Sequence, residues 1–160
     1  MELRDRDAIL TTEKIIFRVY GNIHPSVGYI CDPEYAPPKI FESSNFRSRR
    51  GKTDPIYYKF FADEGLKLIL KKFPKYTIFH EPLQKLLVGV KEEDIIEVRK
   101  PEIKLQKIQS KQPNDKLIKA SNELLSLVLS NSELELENFG VFGSILHEFY
   151  HPDLSLLTIV

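Results

Sequence analysis

The order of elements in the last third of the chain restricts the folds open to it. Residues 113–129 carry an apolar stripe at helical spacing, with Asn114 as a suitable N-cap. Residues 134–142 then alternate before turning apolar, which is typical of a strand that enters a core. Gly143 and Ser144 supply a turn, a short helix to Phe149 follows, and His151-Pro152-Asp153 ends it before a last strand at 154–160. This succession predicts an α+β fold.

The stripe of the long helix comprises Leu117, Ser121, Leu124, Leu125 and Val128. Upstream, the first thirty or so residues indicate an antiparallel β meander, with short β-prone runs at 7–10, 14–20 and 27–31. Pro33 should end the third run, because proline lacks the N–H that a central strand needs. A long polar connection is expected from there to Pro55.

The middle of the chain predicts both helix and strand. Residues 63–72 place acids first and lysines last, which suits the helix dipole. Short apolar runs at 76–80 and 86–90 are expected to be strands, and a helix is expected from about residue 102, after Pro101. We therefore divide the chain into an N-terminal α+β region, residues 1–110, and a second region, residues 111–160.

Several stretches together resemble a known family. Leu136–Ser144, followed by His151 and Pro152, is similar to a group of archaeal predicted nucleotidyltransferases in the DNA polymerase beta superfamily. Arg4–Ile9 and Tyr29–Pro37 resemble the N-terminal region of the same group. The resemblance thus covers both ends of the chain, and it implies that residues 111–160 form a truncated nucleotidyltransferase core.

The resemblance also implies a nucleotide site at Gly143 and Ser144. Glycine allows a tight turn and a close phosphate, and the helix that follows favours an anion. In the family, two carboxylates two positions apart on the next strand hold paired Mg²⁺ ions. Leu156 and Thr158 occupy those positions here, and eleven residues, 145–155, separate Ser144 from Leu156. We therefore assign no catalytic residue, metal ligand or cofactor, and expect an inactive relative that retains nucleotide or nucleic-acid binding.

Two alternatives remain open. In the first, the protein is an active Mg²⁺-dependent nucleotidyltransferase whose ligands come from Asp153 or from a partner. In the second, it is a structural or regulatory protein without a nucleotide site. Because a truncated core leaves a sheet edge and apolar surface uncovered, a homo-oligomer or a partner chain that completes the core is expected.

A basic segment is the second candidate site. Arg47, Arg49, Arg50 and Lys52 precede a run of aromatic residues and could contact the phosphates of a nucleic acid. The competing interpretation is a solvated loop followed by a core strand. From Ala120 onward the chain has six acids and no Lys or Arg, so residues 1–119 carry a formal charge of +6 in a neutral whole. The aromatic run comprises Tyr57, Tyr58, Phe60 and Phe61.

Composition indicates where in the cell such a protein is found. No run is long and apolar enough to cross a membrane, the N-terminus is charged, and a single cysteine excludes a disulfide framework, so we expect a cytoplasmic protein. Many Lys and Glu with few Cys and Met is a pattern enriched in hyperthermophiles. The potential metal ligands His24, Cys31 and Asp32, and the pair His147 and His151, match no standard site.

Overall fold

A computed structural model describes residues 1–51, 55–110, 115–150 and 159 of the chain. These residues form a mixed α+β structure, as the sequence predicts. The chain divides into two compact units, residues 1–98 and 99–160, a division that falls before the 110/111 boundary expected from the sequence. Its strands are β1 Ala8–Thr11, β2 Ile16–Val19, β3 Tyr29–Ala36, β4 Arg49–Arg50, β5 Tyr57–Lys59, β6 Thr77–His80, β7 Lys85–Val90 and β8 Ile95–Arg99, and its helices are α1 Glu64–Lys72, α2 Pro101–Gln109 and α3 Lys116–Ser130.

The first unit is built on an antiparallel sheet in the order β4-β5-β3-β2-β1-β8. Strand β3 is central, because it pairs with β2 along one side and with both β7 and β5 along the other. Strand β6 joins the sheet by pairing with β7. The expected meander and the strands at 76–80 and 86–90 are confirmed, whereas β4 and β8 were not predicted and β5 was expected only in the competing interpretation of the basic segment.

The expectation that Pro33 ends its strand is wrong. Strand β3 continues through Pro33 to Ala36. The register shows why: Phe17 pairs with Pro33, whereas the preceding residue, Ile16, pairs with Tyr35. Two residues of β3 therefore face one step of β2, which is a bulge at Glu34. A bulge is one of the few places where a sheet tolerates proline, since the ladder is already interrupted there.

The core of the first unit lies between the sheet and α1. Phe17 from β2 and Tyr76, just before β6, are fully buried with ring centroids 5.1 Å apart. Ile69 brings the apolar side of α1 onto this cluster. Each such side chain contributes roughly 1.5–3 kcal/mol through its burial. Helix α1 is confirmed where the sequence predicts it, with Glu64 in its first turn and lysines in its last.

In the second unit, α3 begins at a well-formed cap. The carboxylate of Asp115 accepts hydrogen bonds from the backbone N–H groups of Leu117 and Ile118, both at 3.0 Å. The proposed cap Asn114 lies outside the described residues. Ser121 and Leu125 are buried as expected, but Leu124 is 45% exposed, so the buried stripe is narrower than predicted. No helix among the described residues combines the length and apolarity needed to cross a bilayer.

The elements expected at 134–149 are corrected by the structure. Residues 136–138 form a single 3-10 turn in place of a strand, because the side chain of Asn138 accepts a hydrogen bond from the backbone of Glu135 and closes the segment locally. Val141 alone makes a bridge, to Ile159. Residues 143–148 are consecutive turns, so the expected helix is absent. Of the strand expected at 154–160, only residue 159 is described.

An ion-pair network ties together three chain segments of the first unit. The ammonium of Lys75 lies 2.7 Å from Glu13 and 2.9 Å from Asp94, and 4.8 Å from the Tyr76 ring centroid. Burial alone would raise the pKa of Glu13, but hydrogen bonds from Lys75 and Thr12 lower it overall. The hydrogen bonds to Asp94 and Glu13 raise the pKa of Lys75.

We expect Lys75→Met to lower the free energy of unfolding by about 1 kcal/mol near neutral pH, because two partly exposed ion pairs are lost. Glu13 has a lowered pKa, so its stabilisation is lost as pH falls through its folded value. Lys75 has a raised pKa, so its stabilisation is lost as pH rises through its folded value. The difference in unfolding free energy between the parent and Lys75→Met should therefore shrink at both low and high pH. Urea titrations at several pH values measure it, with Lys39→Met as the control, and a difference independent of pH would contradict the network.

Candidate nucleic-acid interface

The basic segment is joined to the sheet by a turn and a buried serine. The side-chain carbonyl of Asn45 accepts a hydrogen bond from the Arg47 N–H at 3.0 Å, and its backbone carbonyl accepts one from the Ser48 N–H at 2.8 Å. Ser48 is fully buried, and its hydroxyl donates to the Lys59 carbonyl at 2.6 Å. The Lys59 N–H donates back to Ser48 at 2.8 Å. The chain on either side of Ser48 is therefore fixed to β5.

The anchored segment presents one aromatic and three cationic side chains. Phe46 is 80% exposed, and the Arg47 guanidinium lies 5.6 Å from the centroid of its ring. Arg47 and Arg49 are exposed and Arg50 is half-buried. A guanidinium N–H of Arg50 donates to the carbonyls of Arg47 and Arg49, which fixes its direction. The structure therefore brings together three of the four basic residues singled out in the sequence, while Lys52 lies outside the described residues.

The aromatic residues that drew attention in the sequence behave differently from Phe46. Tyr57 and Phe60 are buried, and Tyr58 and Phe61 are half-buried. The expected core strand therefore forms at Tyr57–Lys59, and two of the four aromatic side chains face inward. Phe46 was overlooked in the sequence. The available signal was an aromatic residue inside an otherwise polar stretch, directly before the first arginine.

The strand register places further cations beside this segment. Arg50 of β4 pairs with Tyr57 of β5, and Lys59, also on β5, pairs with Tyr35 of β3. Because alternate residues of a strand share a face, Arg50 and Lys59 lie on one side of the sheet with Tyr35. Burial raises the pKa of the Tyr35 phenol, as does the nearby Glu34, while Arg50 opposes the shift. The phenol is therefore kept neutral beneath a cationic surface.

Gly143 and Ser144, the proposed nucleotide-binding pair, lie in the second unit. Gly143 has φ +66°, and a Cβ at its position would meet nothing within 4 Å. The backbone carbonyl of Ser144 accepts a hydrogen bond from the Phe149 N–H at 2.9 Å, within the turns at 143–148. The expected contribution of a helix N-terminus to phosphate binding is therefore lost. Asp153, Leu156 and Thr158 lie outside the described residues.

The potential metal ligands in the first unit have separate roles. His24 accepts a hydrogen bond from the Ile30 N–H at 3.2 Å, the thiol of Cys31 donates to the Tyr29 carbonyl, and Asp32 pairs with Arg18 at 2.8 Å. Within the described ranges, no three His, Cys, Asp or Glu side chains come together as a metal site. His147 is buried with its Nδ1 3.0 Å from an Arg99 guanidinium nitrogen, and His151 is outside the described residues.

Comparison with known proteins gives one informative relative. An uncharacterised protein of the archaeon Methanocaldococcus jannaschii, MJ1086, is 27% identical over 151 residues. The match covers 91% of this chain but 44% of the relative, so the chain spans less than half of that protein's length. No protein-family model matches the chain, and no solved structure matches it.

Two glycines of the 139–144 motif should respond differently to substitution. In Gly140→Ala, the new Cβ would lie 2.5 Å from Pro101 Cβ and 2.8 Å from its backbone carbon, so we expect a loss of about 1–3 kcal/mol from overpacking. In Gly143→Ala, the space is open and only the left-handed backbone is strained, at a cost of about 1–2 kcal/mol. Urea unfolding of both variants tests whether Gly140→Ala is the more destabilising of the two. A Gly140→Ala variant as stable as the parent would contradict the close approach to α2.

Proposed function

We propose that this chain is a non-catalytic relative of nucleotidyltransferases that binds single-stranded nucleic acid through residues 46–50. The observation that carries the proposal is an exposed aromatic ring, Phe46, with the Arg47 guanidinium beside it, on an arginine-bearing segment that Ser48 anchors to the sheet. Other large apolar side chains of the chain are also exposed, so what distinguishes Phe46 is the guanidinium beside its ring. Its position next to arginines is typical of surfaces on which bases stack and phosphates are neutralised.

The chemistry of the two residue types is complementary. A base offers a π face that can stack on Phe46, and stacking is worth about 1–3 kcal/mol per base. The arginines offer planar, permanently charged guanidinium groups that pair with phosphate oxygens. The formal +6 charge of residues 1–119 would favour the approach of a polyanion. A single strand is preferred to a duplex because its bases are free to leave the stack.

The lack of catalysis rests on the sequence. Leu156 and Thr158 stand where the nucleotidyltransferase pattern carries its carboxylates, and neither can bind Mg²⁺ as a carboxylate does. Nucleotide binding at Gly143 and Ser144 stays a prediction, and so does a partner chain. Exposed leucines of the second unit support a partner, since Leu127 is 63% and Leu134 is 49% exposed.

Two variants separate stacking from charge. We expect Phe46→Ala to weaken binding of a fluorescent single-stranded oligonucleotide about tenfold, without changing the dependence of affinity on salt. Arg49→Ala should weaken it as well, and should reduce the slope of log K against log salt concentration by about 0.7, because one phosphate contact is lost. Fluorescence anisotropy at several salt concentrations measures both effects.

The control is Lys72→Ala, which removes one exposed cation from the end of α1 and should leave affinity nearly unchanged. RNA and DNA oligonucleotides of matched sequence are titrated in parallel. Absence of binding to either by the parent protein at low salt would refute the proposed function. Equal losses in Lys72→Ala and Arg49→Ala would show non-specific attraction in place of a defined interface.

A further inference from the structure

We infer that the sheet face beside this segment holds a phosphate subsite built from Arg18, Arg50 and Lys59, which receives a backbone phosphate of the strand whose bases stack on Phe46. The inference rests on the proposed function and deepens it, because it names a phosphate contact on the sheet, away from the exposed Phe46. Arg18 and Lys59 come from β2 and β5, and nothing in the sequence pattern of the basic segment includes them.

The register places the three cations on one face. Tyr35 pairs with Ile16 on one side and with Lys59 on the other. Arg18 is two residues from Ile16 along β2 and therefore shares its face. The ammonium of Lys59 lies 6.0 Å from the Tyr35 ring centroid. Arg50 shares that face from β4, so the cations come from three strands around the buried tyrosine.

The two arginines retain unused donors. The Nε atoms of Arg18 and Arg50 are buried, and neither has a hydrogen-bond partner within the described part of the chain. The Arg18 side chain as a whole is 22% exposed, so its guanidinium is partly removed from water but still reachable. These Nε atoms have no accessible surface, so a phosphate would be bound through the outer guanidinium N–H groups and the Lys59 ammonium, by charge-assisted hydrogen bonds.

A carboxylate already occupies part of this surface. Asp32 is 55% exposed and lies 2.8 Å from the Arg18 Nη2. It holds the guanidinium in place, and it also repels an incoming phosphate. This arrangement gives opposite expectations for the two partners of one ion pair: removal of the arginine should weaken binding, whereas removal of the carboxylate should strengthen it.

The test uses the full chain, a single-stranded oligonucleotide and salt titration. Arg18→Ala and Lys59→Ala should each weaken binding roughly tenfold, as expected for a charged hydrogen bond, and reduce the salt slope by about 0.7. Arg18→Lys should recover part of the slope but not the full affinity, since lysine keeps the charge and loses the guanidinium fork. Asp32→Asn should strengthen binding, with Asp63→Asn as the control in which an exposed carboxylate is removed from the start of α1.

The outcomes distinguish this subsite from the proposed interface. Losses in Arg18→Ala and Lys59→Ala variants that retain the parent melting temperature support the subsite. If Arg49→Ala weakens binding but these two variants and Asp32→Asn do not change it, the subsite is refuted and the proposed function stands. If the parent binds no oligonucleotide, both are refuted. Should Arg18→Ala fail to fold, Lys59→Ala and Asp32→Asn decide the question.

Discussion

The backbone of β3 is the element on which the first unit depends. One eight-residue strand hydrogen-bonds to β2, β5 and β7, so three neighbours take their positions from it. The bulge at Glu34 makes this possible, because it accepts Pro33 without ending the strand and turns Tyr35 toward the face shared with Lys59. The Glu34 carbonyl also accepts the Phe60 N–H at 3.0 Å, which fixes the end of β5. The candidate interface is thus positioned by a strand that carries none of its basic residues.

Local sequence signals predicted the helices well where they were complete. Helix α1 has acids first and lysines last, and α3 has a polar cap before an apolar stripe; both helices form. The prediction at 134–142 was wrong because alternating leucine and glutamate permits a strand but does not require one. Here a side chain three residues away, Asn138, satisfies the backbone of Glu135 and closes a turn instead. The pattern of apolar residues does not show whether strand pairing or such a local side-chain hydrogen bond will form.

At the candidate site, too, the sequence pattern did not show which tertiary contacts form. The arginines were visible as a cluster in the sequence, but their support was not. Ser48 is fully buried with its hydroxyl bonded to the Lys59 carbonyl, and a serine between arginines gives no sign of burial. Arg18 is separated from the cluster by about thirty residues in the chain and joins its surroundings through strand register alone. Sequence reasoning therefore found the charges, and tertiary structure was needed to find the surface.

Strand β4 has a consequence for the protein's behaviour at high concentration. It is two residues long, and it ends the β4-β5-β3-β2-β1-β8 path of the sheet in the described part of the chain. The end strand of a sheet offers open backbone groups to other chains, and short strands bearing charge discourage such pairing. Arg49 and Arg50 are the whole of this strand, so the charges suited to attracting a polyanion also disfavour edge-to-edge pairing of identical molecules.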